Sequence, residues 1–300
     1  MEKLPNESIN LVMTSPPYWG LRDYGVRGQI GLEPTWQEYV AKLVRIGKEI
    51  MRILKKDGSF YLNLWDTFQD KMKLGIPWRV RFALNEIGWI SRADIVWHKP
   101  NVMPSSVKDR LSCTYEMIFH FVRSKKYYFN LDAIREPHKT VPGKGLTNRF
   151  SIWHEKTRYR GKFSKTANPE KFGSPRARSM RTYRNVPTNP PHRSPYGEWA
   201  AMARNLAYNP KGKNPGDVFT INTKPSRIAH FAVYPEALCT KPILSSSRLG
   251  DVVFDPFVGG GTTTAVAKKL GRKFLGCDIH PKYVRIAKER LDGTKVCLHP

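Results

Sequence analysis

The chain has 300 residues, enough for one large core carrying an insertion, and its 51 Lys and Arg against 25 Asp and Glu leave a formal charge of +26. That imbalance calls for a polyanionic partner, with nucleic acid ahead of any acidic small molecule. No apolar run approaches the roughly 20 residues needed to span a bilayer, no charged and apolar blocks mark a signal peptide, and Cys113, Cys239, Cys277 and Cys297 are too scattered for a disulfide framework or a zinc knuckle, so a soluble cytoplasmic protein without a membrane partner is expected.

From residue 8 to about 132, apolar strands alternate with amphipathic helices, as in an α/β sheet. The first strand is expected at 9–13. Thr35-Trp36-Gln37-Glu38 reads as a capping box, and Trp36, Val40, Leu43, Ile50 and Leu54 follow at helical spacing until Gly58 stops the helix. A strand at 59–64, a helix at 78–87 ending in Gly88, and strands at 89–97 and 115–122 come next. The last of these is expected to turn through Ser124-Lys125-Lys126 and pair with 127–129 as an antiparallel hairpin.

Between residues 139 and 216 the periodicity disappears, and 17 Lys or Arg stand against three Glu. Trp153, Tyr159, Phe163, Phe172, Tyr183, Tyr196 and Trp199 argue against simple disorder, because disordered tracts are poor in aromatics. Lysines and arginines here suit phosphates, and Arg and Asn suit base edges. Three regions result: α/β pattern over 1–136, an inserted basic region at 137–216, and a return of α/β pattern over 217–300. In the last, a helical stretch from about 226, a strand at 251–254, a helix at 262–270, a strand at 273–277 and a helix from Pro281 to about 291 are expected. The fold class is therefore α/β, a doubly wound and mostly parallel sheet with an antiparallel hairpin and a largely irregular basic insertion.

Two strand ends carry chemistry. At Asp255-Pro256-Phe257-Val258-Gly259-Gly260-Gly261-Thr262-Thr263 an apolar strand passes through a glycine-rich turn into a helix, which is where doubly wound sheets bind ligands. The next strand ends in Asp278-Ile279, and a carboxylate there can accept hydrogen bonds from ribose hydroxyls. An acid before the glycines would repel a pyrophosphate but suits an ammonium group, and an aromatic ring suits a sulfonium. S-adenosyl-L-methionine answers that description better than a dinucleotide. A bland reading of the glycines, as packing residues alone, competes with this one.

At the other strand end stands Thr14-Ser15-Pro16-Pro17-Tyr18. A base amino group is a poor nucleophile because its lone pair is delocalised into the ring. The Ser15 hydroxyl and the Pro16 carbonyl can accept its two N–H bonds and leave the lone pair aimed at a methyl donor. Pro16 and Pro17 stiffen the turn, and Tyr18 offers a stacking face for a base taken out of the duplex. No metal is called for. His98 and His230 have no ligand cluster around them, and a thiolate mechanism at cytosine C5 is excluded because none of the cysteines follows a proline. Trp19 and Trp65 are expected to line the pocket, Trp97 is expected to pack in the core on its strand, and Asp66 is expected to face the cofactor.

These motifs resemble the amino-methyltransferase family of DNA modification enzymes in its permuted β-type order, with the catalytic motif first, target recognition next and the cofactor motif last. Lys56-Asp57-Gly58-Ser59-Phe60, Ile95-Val96-Trp97-His98-Lys99-Pro100-Asn101, Tyr115-Glu116-Met117-Ile118 and His230-Phe231-Ala232-Val233-Tyr234-Pro235 add to the likeness. The resemblance implies a catalytic loop of Ser15, Pro16, Pro17 and Tyr18. It implies a methionine site of Asp255, Pro256, Phe257, Gly259, Gly261, Thr262 and Thr263, a ribose site at Asp278 and Ile279, and an adenine pocket that is short or built from residues 294–298. It further implies double-stranded DNA as substrate in a prokaryotic or viral setting, with either a cognate restriction endonuclease as a companion or a solitary modification enzyme. A Ser at position 15 resembles the cytosine-N4 enzymes, with the adenine-N6 reaction as the alternative. RNA or protein-amide methylation, or a non-catalytic DNA-binding module, are the readings from other classes. Tyr115 stands where relatives often carry His.

Overall fold

The computed structural model describes residues 1–138, 209–223 and 234–293. The chain divides into two compact units, Met1–Ile134 with Asn214–Pro300 and Arg135–Lys213. Of the second unit only 135–138 and 209–213 are described. There Glu136 and Lys213 exchange backbone hydrogen bonds at 3.0 and 2.8 Å. The basic stretch, the expected helix start near 226, His230 and residues 294–298 lie outside the described residues.

The first unit is built on a seven-stranded sheet. Strand β1 (Ile9–Thr14) is buried along its whole length, Asn10 and Thr14 included, as expected of a central strand covered on both faces. Helix α1 (Trp36–Ile53) follows, and then β2 (Leu54–Leu64), a two-stranded ribbon of β3 (Phe68–Gln69) and β4 (Met72–Lys73), and α2 (Ile76–Glu86). Strands β5 (Ile90–His98), β6 (Tyr115–Val122) and β7 (Val218–Thr220) lead to α3 (Glu236–Ser246), β8 (Val252–Asp255), α4 (Thr262–Lys269), β9 (Lys273–Gly276) and α5 (Pro281–Asp292). The sheet order is β7-β5-β6-β2-β1-β8-β9, parallel throughout except where β6 runs antiparallel to both β5 and β2.

Both faces of this sheet are covered, because alternate side chains of a strand point to opposite faces. Val12 and Phe60 belong to one apolar layer with Leu43, Ile50, Val80 and Leu84 of α1 and α2. Leu11, Met13 and Tyr61 belong to the other, with Leu238, Ile243 and Val266 of α3 and α4. Parallel strands thus deliver their carboxyl ends to one rim, and β1 and β8, which carry the two motifs, are neighbours.

Two expectations are corrected. Residues 127–129 form no strand. Tyr128 N–H goes to the Asp57 carbonyl at 2.9 Å and Asn130 N–H to the Ser245 carbonyl at 2.7 Å. The antiparallel partner of β6 is β5, whose eight-residue register buries far more apolar surface than a three-residue return could. Helix α1 begins as expected, with the Thr35 hydroxyl accepting from Glu38 N–H at 3.3 Å, but it ends at Ile53 and not at Gly58. Leu54 turns to extended backbone after donating to Ile50, and β2 starts at once. Gly58 serves β1 instead, since a Cβ there would lie 2.7 Å from the Asn10 carbonyl. The β3–β4 ribbon and β7 went unread, being only two or three residues long.

Candidate active site

The residues after β1 line a cavity of about 670 Å3, well inside the usual range for ligand sites. Ser15, Pro16, Pro17 and Tyr18 all line it. Their turn is held from three sides. Tyr39 OH of α1 donates to the Pro17 carbonyl at 2.9 Å, Trp19 Nε1 donates to the Glu33 carbonyl at 2.9 Å, and Gly20 N–H reaches the Gly31 carbonyl at 2.8 Å. Gly31 has a φ of 101°, and a Cβ there would meet the Tyr18 carbonyl at 2.9 Å, so the close return of the chain needs a glycine.

Behind the turn lies a buried polar network. Ser15 Oγ and Tyr18 OH are 2.9 Å apart. Tyr18 OH donates to Glu116 Oε2 at 2.6 Å, and Asn63 Nδ2 of β2 donates to Glu116 Oε2 at 2.6 Å, to Tyr18 OH at 2.8 Å and to Ser15 Oγ at 3.3 Å. Lys99 Nζ pairs with Glu116 Oε1 at 3.0 Å and sits 3.7 Å from the centroid of the Trp65 ring. Burial and the neighbouring Glu116 carboxylate push the Tyr18 phenol well above its usual range, so the hydroxyl keeps its proton and donates.

The glycine-rich turn lines the same cavity. Pro256, Phe257, Gly259, Thr262, Asp278 and Ile279 line the cavity, whereas Asp255, Gly261 and Thr263 stand behind its wall. Asp255 is 1% exposed and accepts from Thr14 Oγ1 at 2.5 Å, Thr263 Oγ1 at 2.7 Å, Phe257 N–H at 3.0 Å and Tyr234 OH at 3.2 Å. Burial raises its pKa, and these donors oppose the rise. Its carboxylate therefore ties the ends of β1 and β8 together. Gly261, at a φ of 74°, faces α5, where a Cβ would lie 3.1 Å from Ala287 Cα. Asp278 accepts from Gly259 N–H and His280 N–H, both at 2.9 Å, which fixes the carboxylate at the cavity edge.

Of the other expectations, Trp65 and Trp97 both reach the cavity wall, and Trp97 is also a core residue whose Nε1 donates to the Ile221 carbonyl. Trp19 packs behind the turn. Asp66 does not face the cavity. It accepts from Thr67, Gly75 and Ile76 N–H at 2.9 to 3.1 Å and so caps the start of α2. Asn63, Lys99 and Glu116 were given no role from the sequence. Each is a polar residue within or directly after an apolar strand, and each is less than 10% exposed, a pattern that costs free energy unless the group is partnered.

The family model described as DNA methylase, which joins the N6 and N4 enzymes, matches residues 9–289. The chain belongs to the N6/N4 DNA methylase family. Type II methyltransferase M.XycI of Xanthomonas campestris pv. cyanopsidis is 33% identical over 98% of the chain and 84% of that relative, and M.SfiI of Streptomyces fimbriatus is 32% identical over 95% and 86%. Among solved structures, the cytosine-N4-specific PvuII DNA methyltransferase superposes with a TM-score of 0.61 at 20% identity, covering 96% of this chain and 81% of that one. A putative DNA modification methylase of Thermus thermophilus, complexed with S-adenosyl-L-methionine, superposes at 0.53 with 21% identity, over 97% and 88%. This methylase is thus a type II DNA methyltransferase dependent on S-adenosylmethionine, built on the sheet those structures share. Among its described residues no helix is long and apolar enough to cross a membrane, and no cluster could hold a metal ion.

Proposed function

We propose that this methylase acts on N4 of cytosine in double-stranded DNA, on a base rotated out of the helix into the cavity. The observation that carries the reading is the Ser15 hydroxyl, in a residue that lines the cavity, within hydrogen-bonding reach of Tyr18 and Asn63. A Ser in that place, rather than an acid, favours cytosine. S-adenosylmethionine fits the other half of the cavity, where the Phe257 ring, the backbone of Gly259 and the Asp278 carboxylate offer faces for a sulfonium, a chain of polar atoms and a ribose.

When bound, the cofactor supplies an electrophilic methyl group on sulfur. Ser15 Oγ and the Pro16 carbonyl accept the two amino hydrogens, which lets the nitrogen pyramidalise and turns its lone pair towards the donor. Tyr18 and Trp65 provide rings beside which a flat base can lie. Phe257, Gly259, Thr262, Asp278 and Ile279 hold the cofactor, and Asp255, Gly261 and Thr263 act on it through the shape of the turn. The basic segment 137–216 reads the DNA, a role supported by its 17 Lys or Arg against three Glu between 139 and 216. A cognate restriction endonuclease acting on the same site would make this methylase the protective half of a bacterial pair.

The test is incubation with labelled S-adenosylmethionine and duplex DNA of varied sequence, followed by nuclease digestion and mass spectrometry of the nucleosides. N4-methylcytosine is the expected product. N6-methyladenine would keep the mechanism and change the base; a DNA adenine methyltransferase, YhdJ of Escherichia coli, is 28% identical over 97% of the chain. No methylated nucleoside from any DNA would overturn the proposal.

A further inference from the structure

The hydroxyl groups of Ser15 and Tyr18 are arranged in series with Glu116, and the far end of the series decides their direction. Glu116 of β6 and Lys99 after β5 are 8% and 7% exposed and form an ion pair at 3.0 Å. An ionised carboxylate has no hydrogen to give, so the single hydrogen of Tyr18 OH is spent on Glu116 Oε2 at 2.6 Å. In the 2.9 Å contact between Tyr18 and Ser15 the phenol oxygen is then left to accept, and Ser15 must donate. Asn63 reinforces the order. Its amide nitrogen points at Glu116, Tyr18 and Ser15, and turning the amide over would set its carbonyl against the Glu116 carboxylate. Ser15 therefore has its hydrogen directed inward, and what it can offer an occupant of the cavity is lone-pair density.

We infer that Glu116, with Lys99 as its counterion, is a positioning and specificity-determining residue that holds Ser15 as an acceptor, so that the site selects a base carrying an amino group and rejects one carrying a keto oxygen. The inference deepens the proposed function and rests on its claim that Ser15 meets the amino group. It adds that the choice is made two residues away from the base. The groups turned towards Glu116 are Lys99 from the end of β5, Tyr18 from the turn after β1 and Asn63 from β2. Replacing its charge by an amide frees the series to run either way, because a glutamine can donate as well as accept.

The test compares wild type with Glu116→Gln on a duplex containing a site that wild type methylates. Each protein's affinity for that duplex is measured with S-adenosylhomocysteine present, and again with the target cytosine replaced by uracil, or a target adenine by hypoxanthine. The cost of extruding the base is common to both proteins and cancels in the ratio. Wild type is expected to prefer the amino base by about tenfold more than Glu116→Gln does, and single-turnover methyl transfer in the variant is expected to fall by about 10- to 100-fold with cofactor affinity within about twofold. Equal preference in the two proteins would overturn the inference. Should Glu116→Gln fail to fold with Lys99 left unpaired, two variants carry the same test: Lys99→Met with Glu116→Gln, which removes both charges, and Tyr18→Phe, which keeps the ion pair but interrupts the series. Both are expected to lose the preference, and either one retaining it in full would refute the idea. Absence of any DNA methylation by wild type would instead remove the proposed function beneath it.

Discussion

Asp255→Asn separates two ways in which a buried acid can serve a cofactor. The carboxylate receives four protein donors, from Thr14, Thr263, Phe257 and Tyr234, and is 1% exposed. Truncation to Ala strands at least the Thr14 hydroxyl and the Phe257 N–H, because Thr263 and Tyr234 can bond to each other. At about 1–3 kcal/mol for each of these two unmet buried groups, the loss should be roughly 2–6 kcal/mol. Asparagine keeps the shape and one acceptor oxygen, and its amide hydrogens can be taken by the Thr263 and Tyr234 oxygens, so about 1 kcal/mol is expected. The informative quantity is cofactor affinity. An acid working only through the turn predicts that Asp255→Asn binds S-adenosylmethionine within about threefold of wild type. An acid bound to the ammonium group would lose a charge-assisted bond of about 1.5–3 kcal/mol, or roughly 10- to 150-fold in affinity. Titration calorimetry alongside thermal denaturation measures both terms. A tenfold or greater loss of affinity at an unchanged melting temperature would refute the indirect role.

Ser15→Ala should lower single-turnover methyl transfer by about 100-fold or more while cofactor affinity stays within about twofold, and equal loss of both would be inconsistent with a contact made to the base alone. Gly261→Ala puts a Cβ at a φ of 74° and 3.1 Å from Ala287 Cα; urea denaturation should record a loss of about 2–3 kcal/mol, and a loss under about 0.5 kcal/mol would show that α5 gives way freely. His120, stacked on Tyr61 at 4.3 Å, has its pKa lowered by burial to about 3 from 6.5. Its folded-state value lies below the unfolded one, so its contribution is complete above pH 6.5 and is lost as pH falls towards 3. Between pH 6.5 and 5 that amounts to about 2 kcal/mol, which His120→Gln should lack; parallel stability curves for the two proteins would exclude the effect. Replacing Arg176, Arg178 and Arg181 by Ala should weaken DNA binding and flatten the slope of log affinity against log salt by up to about 2.7, at about 0.9 per phosphate contact, and an unchanged slope would move the DNA surface elsewhere.

Local order along the chain was enough to place the two motifs at the carboxyl ends of strands, because a mostly apolar run ended by Ser-Pro-Pro and another ended by a glycine-rich turn each announce their own termination. The same local signals set the start of α1 at Thr35 and the start of α5 at Pro281. They also carried the family, since its motifs are contiguous words. Pairing was not legible in this way. That β6 lies between β5 and β2, and leaves residues 127–129 to bond elsewhere, depends on which surfaces bury most area once both apolar layers form. Nor could any word reveal that Asp255 points into the protein, that Asp66 caps a helix, or that Gly261 makes room for α5 rather than for a ligand. Asn63, Lys99 and Glu116 lie on or beside three different strands, more than fifty residues apart at the extremes. A buried charge is stable only beside its counterion, and β2, β5 and β6 bring these groups together only when the sheet closes around them. Sequence thus determined which residue types stand at the two strand ends, and the tertiary structure decided which of them face the cavity and which stand behind its wall.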